Sequence, residues 1–567
     1  MKIDQRLVVR SPWKSAPAPR GRTLPDYFLS LLELPERRGR VYYYEGDNEV
    51  TFDGMARDIR RLTAAFQRLG IAKGHVVGTV LGNRLDYITT LLAAQRLGAV
   101  VTTCNPAYTH EELMHQFSDS GVTTVVTEAE NVPLVERALP GMPAVKEVIL
   151  VDETDPLLST RQYQTFRRLL HQSAHMADAS SLPAIDPDKD LAIIFYSSGT
   201  TGLPKGVELN HQCLITNFFS IVHAVDGGSG EFDPPRWYPE DRVLSVFQYF
   251  HAGGLIHIMW TIIAGCAVVG LGKYDLEKLL TVVQRRKVTV LLLVPPTLVT
   301  LAKSHLVDRY DVSSVKTVVC GAAPVHGHIA QMVIDRFRLT QFSQVFGMTE
   351  LGFLTHLSPL DPSNLAKKTD ACGRLLPDQE GMVVDPVTMQ QLPAGQRGEM
   401  WIKTPSMMLG YLRNPEATKM TLMGGQWLRT GDIAYYDDEG YWYVVDRLKE
   451  LIKVRGFQVA PAELEAVVLR HPLVSEVIVV GVEDEYSGEL PRAYVVLKAG
   501  APAPSAQIAE QILRFVDEHV AYYKRLKGGV RFVNELPKTG SGKLLRRQLR
   551  DEARREKRQA AKTRAKI

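Results

Sequence analysis

Cysteine is scarce in this chain. Five thiols, Cys104, Cys213, Cys266, Cys320 and Cys372, are spread over 567 residues, and no two form a Cys-x-x-Cys pair. An odd number at wide spacing argues against a disulfide framework or a structural zinc site and fits a reducing, cytoplasmic setting. Charge of one sign is scarce as well. The formal net charge is +4, without the concentrated basic face of nucleic-acid-binding domains, so nucleic acid is not an expected partner. The opening MKIDQRLVVRSPWKSAPAPRGR lacks the apolar stretch of a secretory signal. The most apolar run, 255–272, contains His257 and several glycines. It reads as a buried helix passing into a strand, and no transmembrane segment is expected.

What is present is ordinary globular composition, 45% hydrophobic and 23% charged, in a chain too long for one hydrophobic core. Residues 1–24 are rich in Pro, Arg and Ser and read as an irregular arm. Helical periodicity then alternates with short apolar strand patterns. FDGMARDIRRLTAAFQRLG, VVGTVLG, LDYITTLLAAQRLGA and VVTTC follow one another, with later strands at LAIIFYS, TVLLLVP and VKTVVCG. This predicts an α/β fold with parallel sheets covered by helices. After about residue 375 the pattern changes to a smaller, more antiparallel β region, and after DRLKELIK to a compact α+β unit. The expected organisation is a large domain over 25–447, a small mobile domain over 448–548 and a basic tail over 549–567. The tail shows no apolar face and reads as a solvated helix or a disordered segment; docking to an acidic carrier protein or an anionic surface is the sharper alternative.

The most informative segment is YSSGTTGLPKGVELNH, residues 196–211. A strand delivers the chain into a loop of Ser197, Ser198, Gly199, Thr200, Thr201 and Gly202, followed by Lys205. Glycines permit close backbone approach, N–H groups and hydroxyls can cradle phosphate oxygens, and the lysine adds a point charge. It is not a Walker A loop, because the glycine spacing differs and no Ser or Thr follows Lys205. Downstream come GAAP at 321–324, FGMTE at 346–350, RTGDIAYYDDEGYWYVVDRLKELIKVRGFQVAPAELE and PKTGSGKLLRR. In kind and order these segments resemble those of the adenylate-forming superfamily of acyl-CoA and aryl-CoA synthetases, adenylation domains and luciferases. The resemblance spans about residues 25–548 and is strongest to the coumarate-CoA ligase branch.

The resemblance implies an acid–thiol ligase that uses ATP and Mg²⁺ to form an acyl-adenylate and then a thioester with CoA. It gives the phosphate loop to ATP and implies that Thr349 contacts the α-phosphate. Glu350, with Thr200, would hold Mg²⁺, a hard ion suited to oxygen ligands. The adenine would lie between Phe346, with Gly347 and Met348 beside it, and the backbone of Gly321, Ala322 and Ala323. Asp432 would accept both ribose hydroxyls, and Arg447 would reach the same part of the nucleotide. Lys543 matches the lysine bridging carboxylate and α-phosphate. Lys449 matches the hinge about which the small domain turns, and Lys453, Gly456 and Phe457 the loop that lines the CoA thiol tunnel. An in-line displacement at phosphorus needs alignment and charge stabilisation of this kind more than covalent catalysis.

Relatives that activate α-amino acids place an Asp after the phosphate loop, whereas 245–258, SVFQYFHAGGLIHI, carries no acid. A buried ammonium without a counter-ion would cost roughly several kcal/mol. The expected substrate is therefore a medium-chain fatty or aryl acid without an α-amino group. His251 matches a residue bordering the carboxylate, and the small Ala252, Gly253 and Gly254 either open a deep pocket or let a helix pack closely. Other acceptors stay open: a carrier-protein thiol in trans, an amine, or, in secondary metabolism, nitrite activation for diazo formation.

Overall fold

The computed structural model describes residues 3–564, apart from 16, 153–162, 174–180, 198–203, 226–236, 323–324, 326, 359–367, 387, 448–451, 460, 499 and 538–545. The chain divides into two compact units. The first takes in Met1–Pro106, Leu113–Tyr196 and Gly206–Asp446; the second takes in Ala107–Glu112, Ser197–Lys205 and Arg447–Ile567.

The first unit is built on parallel sheets. In one, Val76–Val80 pairs in parallel with Val100–Cys104 on one side and Val122–Thr127 on the other. These segments are almost continuously buried, which explains why they read as unbroken β-branched runs with no polar alternation. The same sheet continues through Leu191–Ser197 and Lys205–Asn210 to Gly410–Tyr411. In the second sheet, Arg242–Ser245, Val290–Leu293, Thr317–Cys320 and Gln341–Met348 run parallel in that order. Phe353–Leu357 then returns antiparallel to Gln341–Met348.

Helices cover these sheets as the periodicity predicts. Phe52–Arg68 starts where Thr51 accepts a 3.1 Å bond from the Gly54 N–H. It buries Met55, Ile59, Leu62 and Phe66 on one face and is followed by Gly70 at φ +81. The apolar run is the helix Ala252–Ala264, closed by Gly265 at φ +71, and then the strand Ala267–Gly270. It is core, and no described helix is long and apolar enough to cross a membrane. All five cysteines are free and buried.

The smaller β region is antiparallel, with Glu380–Val384, Gly398–Lys403 and Trp427–Tyr436 at its centre. Part of the opening stretch joins it: Val9 and Arg10 pair with Gly381 and Glu380, while Val8 and Trp13 are buried. The Pro- and Arg-rich composition hid these apolar residues, which order the segment.

In the second unit, Ile452–Val454 and Phe457–Val459 form a hairpin. Its two-residue turn, Arg455 and Gly456, has both φ values positive, at +50 and +83, as a primed turn requires. The long hairpin Val474–Asp484 and Gly488–Leu497 packs with Pro461–Leu469 and Ala506–His519 around Val477, Val479, Val495 and Ile512. The basic segment is a helix, Arg546–Arg564, and it has a narrow apolar seam that the charge run concealed. Leu549 and Ala553, four residues apart, are buried, and Leu549 packs with Ile478, Val480, Tyr494 and Leu536. Arg554 pairs with Glu483 at 3.1 Å.

Candidate active site

The segment FGMTE turns a corner between two strands. Gln341–Met348 ends in the short 3-10 turn Thr349–Leu351, Gly352 follows at φ +74, and Phe353 opens the return strand. A Cβ built at Gly347 would collide with the Phe353 carbonyl oxygen, and one at Gly352 with the Ser406 carbonyl oxygen. Both positions therefore demand glycine. Phe353 itself has φ +119, a costly conformation for a bulky residue, about 1–3 kcal/mol. The buried Asn217 side chain holds it in place from the next residue. Asn217 Nδ2 donates to the Leu354 carbonyl at 2.8 Å, and the Leu354 N–H donates back to Oδ1 at 3.2 Å. The Ser406 hydroxyl, in turn, donates to the Leu351 carbonyl at 2.8 Å.

Thr349 is half-buried at this corner, and Glu350 is only 7% exposed. The Tyr411 hydroxyl donates to Glu350 Oε1 at 3.0 Å. Burial, with the Glu350 carboxylate nearby, keeps that phenol protonated and hence a donor. Tyr411 sits opposite Val207, just after the phosphate-loop segment, so one strand pair ties that segment to the Glu350 corner. Among the described residues no three or more His, Cys, Asp or Glu side chains converge on a metal position. A single oriented carboxylate suits Mg²⁺, which keeps its waters and takes most other ligands from substrate phosphates.

Gly321 and Ala322 follow the strand Thr317–Cys320, with Ala322 at φ +74. A Cβ at Gly321 would come within 2.8 Å of Val345, so no side chain fits there. Phe346, half-buried, lies opposite His356 across the strand pair. Their rings meet edge-on at 5.4 Å, and His356 meets Trp442 in the same way at 5.4 Å. Burial takes the His356 imidazole down to about 3. It is a neutral wedge that fixes Phe346.

Asp432, 2% exposed, lies on Trp427–Tyr436. Gly431 before it has φ +70, and the pairing register shifts beside it, between Glu399 and Trp401. The Asp432 N–H donates to Thr430 Oγ1 at 3.0 Å, and that hydroxyl donates to the Met400 carbonyl at 2.7 Å. The irregularity re-aims one carboxylate in an otherwise regular strand.

Other expected site residues are placed by backbone or lie elsewhere. Ser197 ends one strand and Lys205 begins the next; Ser198, Gly199, Thr200, Thr201, Gly202, Ala323, Lys449 and Lys543 lie outside the described residues. Met348 is the last residue of its strand, and Arg447 the last of Trp442–Arg447. In the second unit the Lys453 N–H donates to Glu489 Oε2 at 2.9 Å. Gly456 forms the hairpin turn, and Phe457 stacks on Tyr523 at 4.1 Å.

His251 occupies the N-cap position of Ala252–Ala264, its ring 4.3 Å from Phe250. Its side chain is accessible, yet desolvation takes it down to about 4. The glycines beside it have different roles. A Cβ at Gly254 would collide with the Gln248 carbonyl oxygen, so that glycine serves close packing; at Gly253 a Cβ would lie 3.2 Å from the Phe353 ring. Sequence reasoning missed Asn217, Phe353 and Tyr411, which lie outside the motifs it used, and left Phe247 and His257, both within 245–258, without a role. Only the i, i+4 pairing of Gly253 with His257 offered a signal.

Comparison with known proteins shows the family of the chain. Residues 33–412 match the family described as AMP-binding enzyme, and residues 463–543 its C-terminal domain. The chain is 37% identical to 4-coumarate–CoA ligase 5 of Oryza sativa subsp. japonica, over 97% of this chain and 98% of that protein. It is 34% identical to peroxisomal OPC-8:0-CoA ligase 1 of Arabidopsis thaliana, over 92% of each. Its fold matches the amide bond synthetase McbA from Marinactinospora thermotolerans with TM-score 0.75 at 26% identity, covering 94% of this chain and 99% of that one. The chain belongs to the AMP-binding enzyme family, within the adenylate-forming, acyl-CoA synthetase superfamily.

Proposed function

We propose that this enzyme activates an aryl carboxylic acid without an α-amino group. The carboxylate attacks the α-phosphate of Mg-ATP, releasing pyrophosphate and forming an acyl-adenylate. The CoA thiol then displaces AMP to give the aryl-CoA thioester. The observation that carries the choice of acid is the aromatic cluster around 245–258, in which Phe247 meets His257, Phe250 meets His251 and His257 meets Phe353, with no acidic side chain in the segment. An ammonium there would be uncompensated, while planar rings fit between aromatic walls. The likeness to a 4-coumarate–CoA ligase supports the same class.

In this reading Glu350, oriented by Tyr411, holds Mg²⁺ together with Thr200, and Thr349 contacts the α-phosphate. Residues 197–202, with Lys205, cradle the other phosphates. Phe346 and the backbone at Gly321 and Ala322 take the adenine, while Asp432 and Arg447 take the ribose. Lys543 bridges carboxylate and phosphate during adenylation. Lys453, Gly456 and Phe457 serve the CoA thiol, with Lys449 as the hinge. An amine acceptor is the second reading, supported by the likeness to an amide bond synthetase. Product masses from reactions with aryl, fatty and amino acids, supplied with CoA or with an amine, test the proposal. An aryl-CoA mass supports it; an amide alone, or turnover confined to amino acids, overturns it.

A further inference from the structure

Thr102 and Thr103 are consecutive on the strand Val100–Cys104, so their side chains leave opposite faces. Both are buried. The Thr102 hydroxyl donates to the Ile194 carbonyl at 2.9 Å. Ile194 lies on the neighbouring strand Leu191–Ser197, which leads into the phosphate-loop segment. The Thr103 hydroxyl donates instead to the Phe250 carbonyl at 2.7 Å, in the connection between Arg242–Ser245 and the helix Ala252–Ala264. Gln116 steadies both threonines. Its Nε2 donates to the Thr102 hydroxyl at 3.2 Å and to the Thr103 carbonyl at 2.9 Å.

A second clamp comes from the same sheet. Asn83 follows the strand Val76–Val80, which pairs with Val100–Cys104. Its Nδ2 donates to the Phe247 carbonyl at 2.7 Å, and its Oδ1 accepts the Tyr249 N–H at 2.9 Å. The loop around Asn83 is itself anchored. The Gly82 N–H donates to Glu128 Oε1 at 2.8 Å, and Arg84 pairs with Glu128 at 3.2 Å and Asp152 at 2.8 Å. Residues 246–251 belong to no strand or helix, so their buried backbone groups depend on such partners. Two carbonyls and one N–H between Phe247 and Phe250 are thus held by side chains of the other sheet. The strand and helix on either side are secured by their own pairing and burial, so losing one clamp frees the short connection and leaves the fold.

Resting on the adenylation reading above, we propose that Thr103 is a positioning residue for the first half-reaction, with Asn83 as its companion. It fixes the backbone before His251, which in that reading borders the acid, in register with the strand that feeds the phosphate loop. In the step it serves, a carboxylate oxygen bonds to the α-phosphorus of ATP as the bond to pyrophosphate breaks. Such an attack is sensitive to displacements of about 1 Å. Thr102 holds the support of one reactant and Thr103 that of the other, through one strand.

Acid-dependent exchange of pyrophosphate into ATP, measured at varied acid and varied ATP, tests the role beside denaturant unfolding. Thr103→Val keeps the shape and removes the donor. It is expected to lower kcat/KM for the acid about 10- to 100-fold, while KM for ATP stays within about twofold of wild type. Thr103→Ser, which keeps the donor, recovers most of the loss. Asn83→Ala is expected to show the same split and serves if Thr103→Val fails to fold. A purely structural role predicts lost stability with kcat/KM for the acid unmoved; that result, or an equal rise in both KM values, overturns the proposal and leaves the adenylation reading standing. No acid-dependent exchange in the wild-type enzyme overturns the adenylation reading itself.

Discussion

The hydroxyl of Tyr411 donates a 3.0 Å hydrogen bond to Oε1 of Glu350, joining the strand beside the phosphate-loop segment to the carboxylate proposed to hold Mg²⁺. Partners of this sort orient a ligand without touching the metal. Tyr411→Phe keeps the ring and removes the donor. We expect the Mg²⁺ concentration needed for half-maximal pyrophosphate release to rise about 10- to 100-fold, with KM for the acid little changed. A titration of Mg²⁺ at fixed ATP measures it.

Asn217 is the prop behind a strained corner. Its amide satisfies both the N–H and the C=O of Leu354, next to Phe353 at φ +119. Asn217→Leu strips both bonds inside the core and is expected to destabilise the first unit by about 2–4 kcal/mol. Denaturant unfolding monitored through an intrinsic tryptophan checks it.

Much of this architecture is legible in the sequence, for identifiable reasons. The parallel strands are buried on both faces, so Val76–Val80 and Val100–Cys104 are Val- and Thr-rich runs without exposed polar alternation, a pattern that periodicity detects. Phe346, Thr349, Glu350 and Asp432 lie in segments whose glycines are forced by backbone collisions or positive φ, which makes them recognisable as motifs. What stayed hidden has no local signal. Asn217 is one of several polar residues in the helix His211–Val225, and Tyr411 is one aromatic in an edge strand. Each acts on a residue far away in sequence, and only tertiary packing reveals the pairing. The seam of Leu549 and Ala553 was masked by surrounding arginines.

His211 gives the fold a pH dependence of known sign. Its Nδ1 accepts the Leu24 N–H at 3.2 Å, and burial takes the imidazole from 6.5 down to about 4. Between pH 6.5 and 4 the unfolded chain binds this proton and the folded chain does not. The contribution is full above pH 6.5 and is lost as pH falls towards 4, about 3 kcal/mol in all. In His211→Gln that component is absent. The stability gap between wild type and variant should therefore shrink on acidification, by about 1.4 kcal/mol per pH unit. Subtracting the two unfolding curves cancels the carboxylates common to both.

Lys543 is proposed to act in the first half-reaction alone. Lys543→Ala should slow pyrophosphate release about 100- to 1000-fold, the value of one lost charge-stabilising donor. Thioester formation from supplied acyl-adenylate and CoA should fall by less than about tenfold. Equal losses in both assays contradict the assignment.

The central claim is that an aryl acid is adenylated before any thiol is engaged. Acid-dependent exchange of labelled pyrophosphate into ATP, measured with Mg²⁺ and without CoA, tests it most directly. The account predicts exchange with aryl acids lacking an α-amino group. No exchange with any aryl acid, or exchange with amino acids alone, would contradict it.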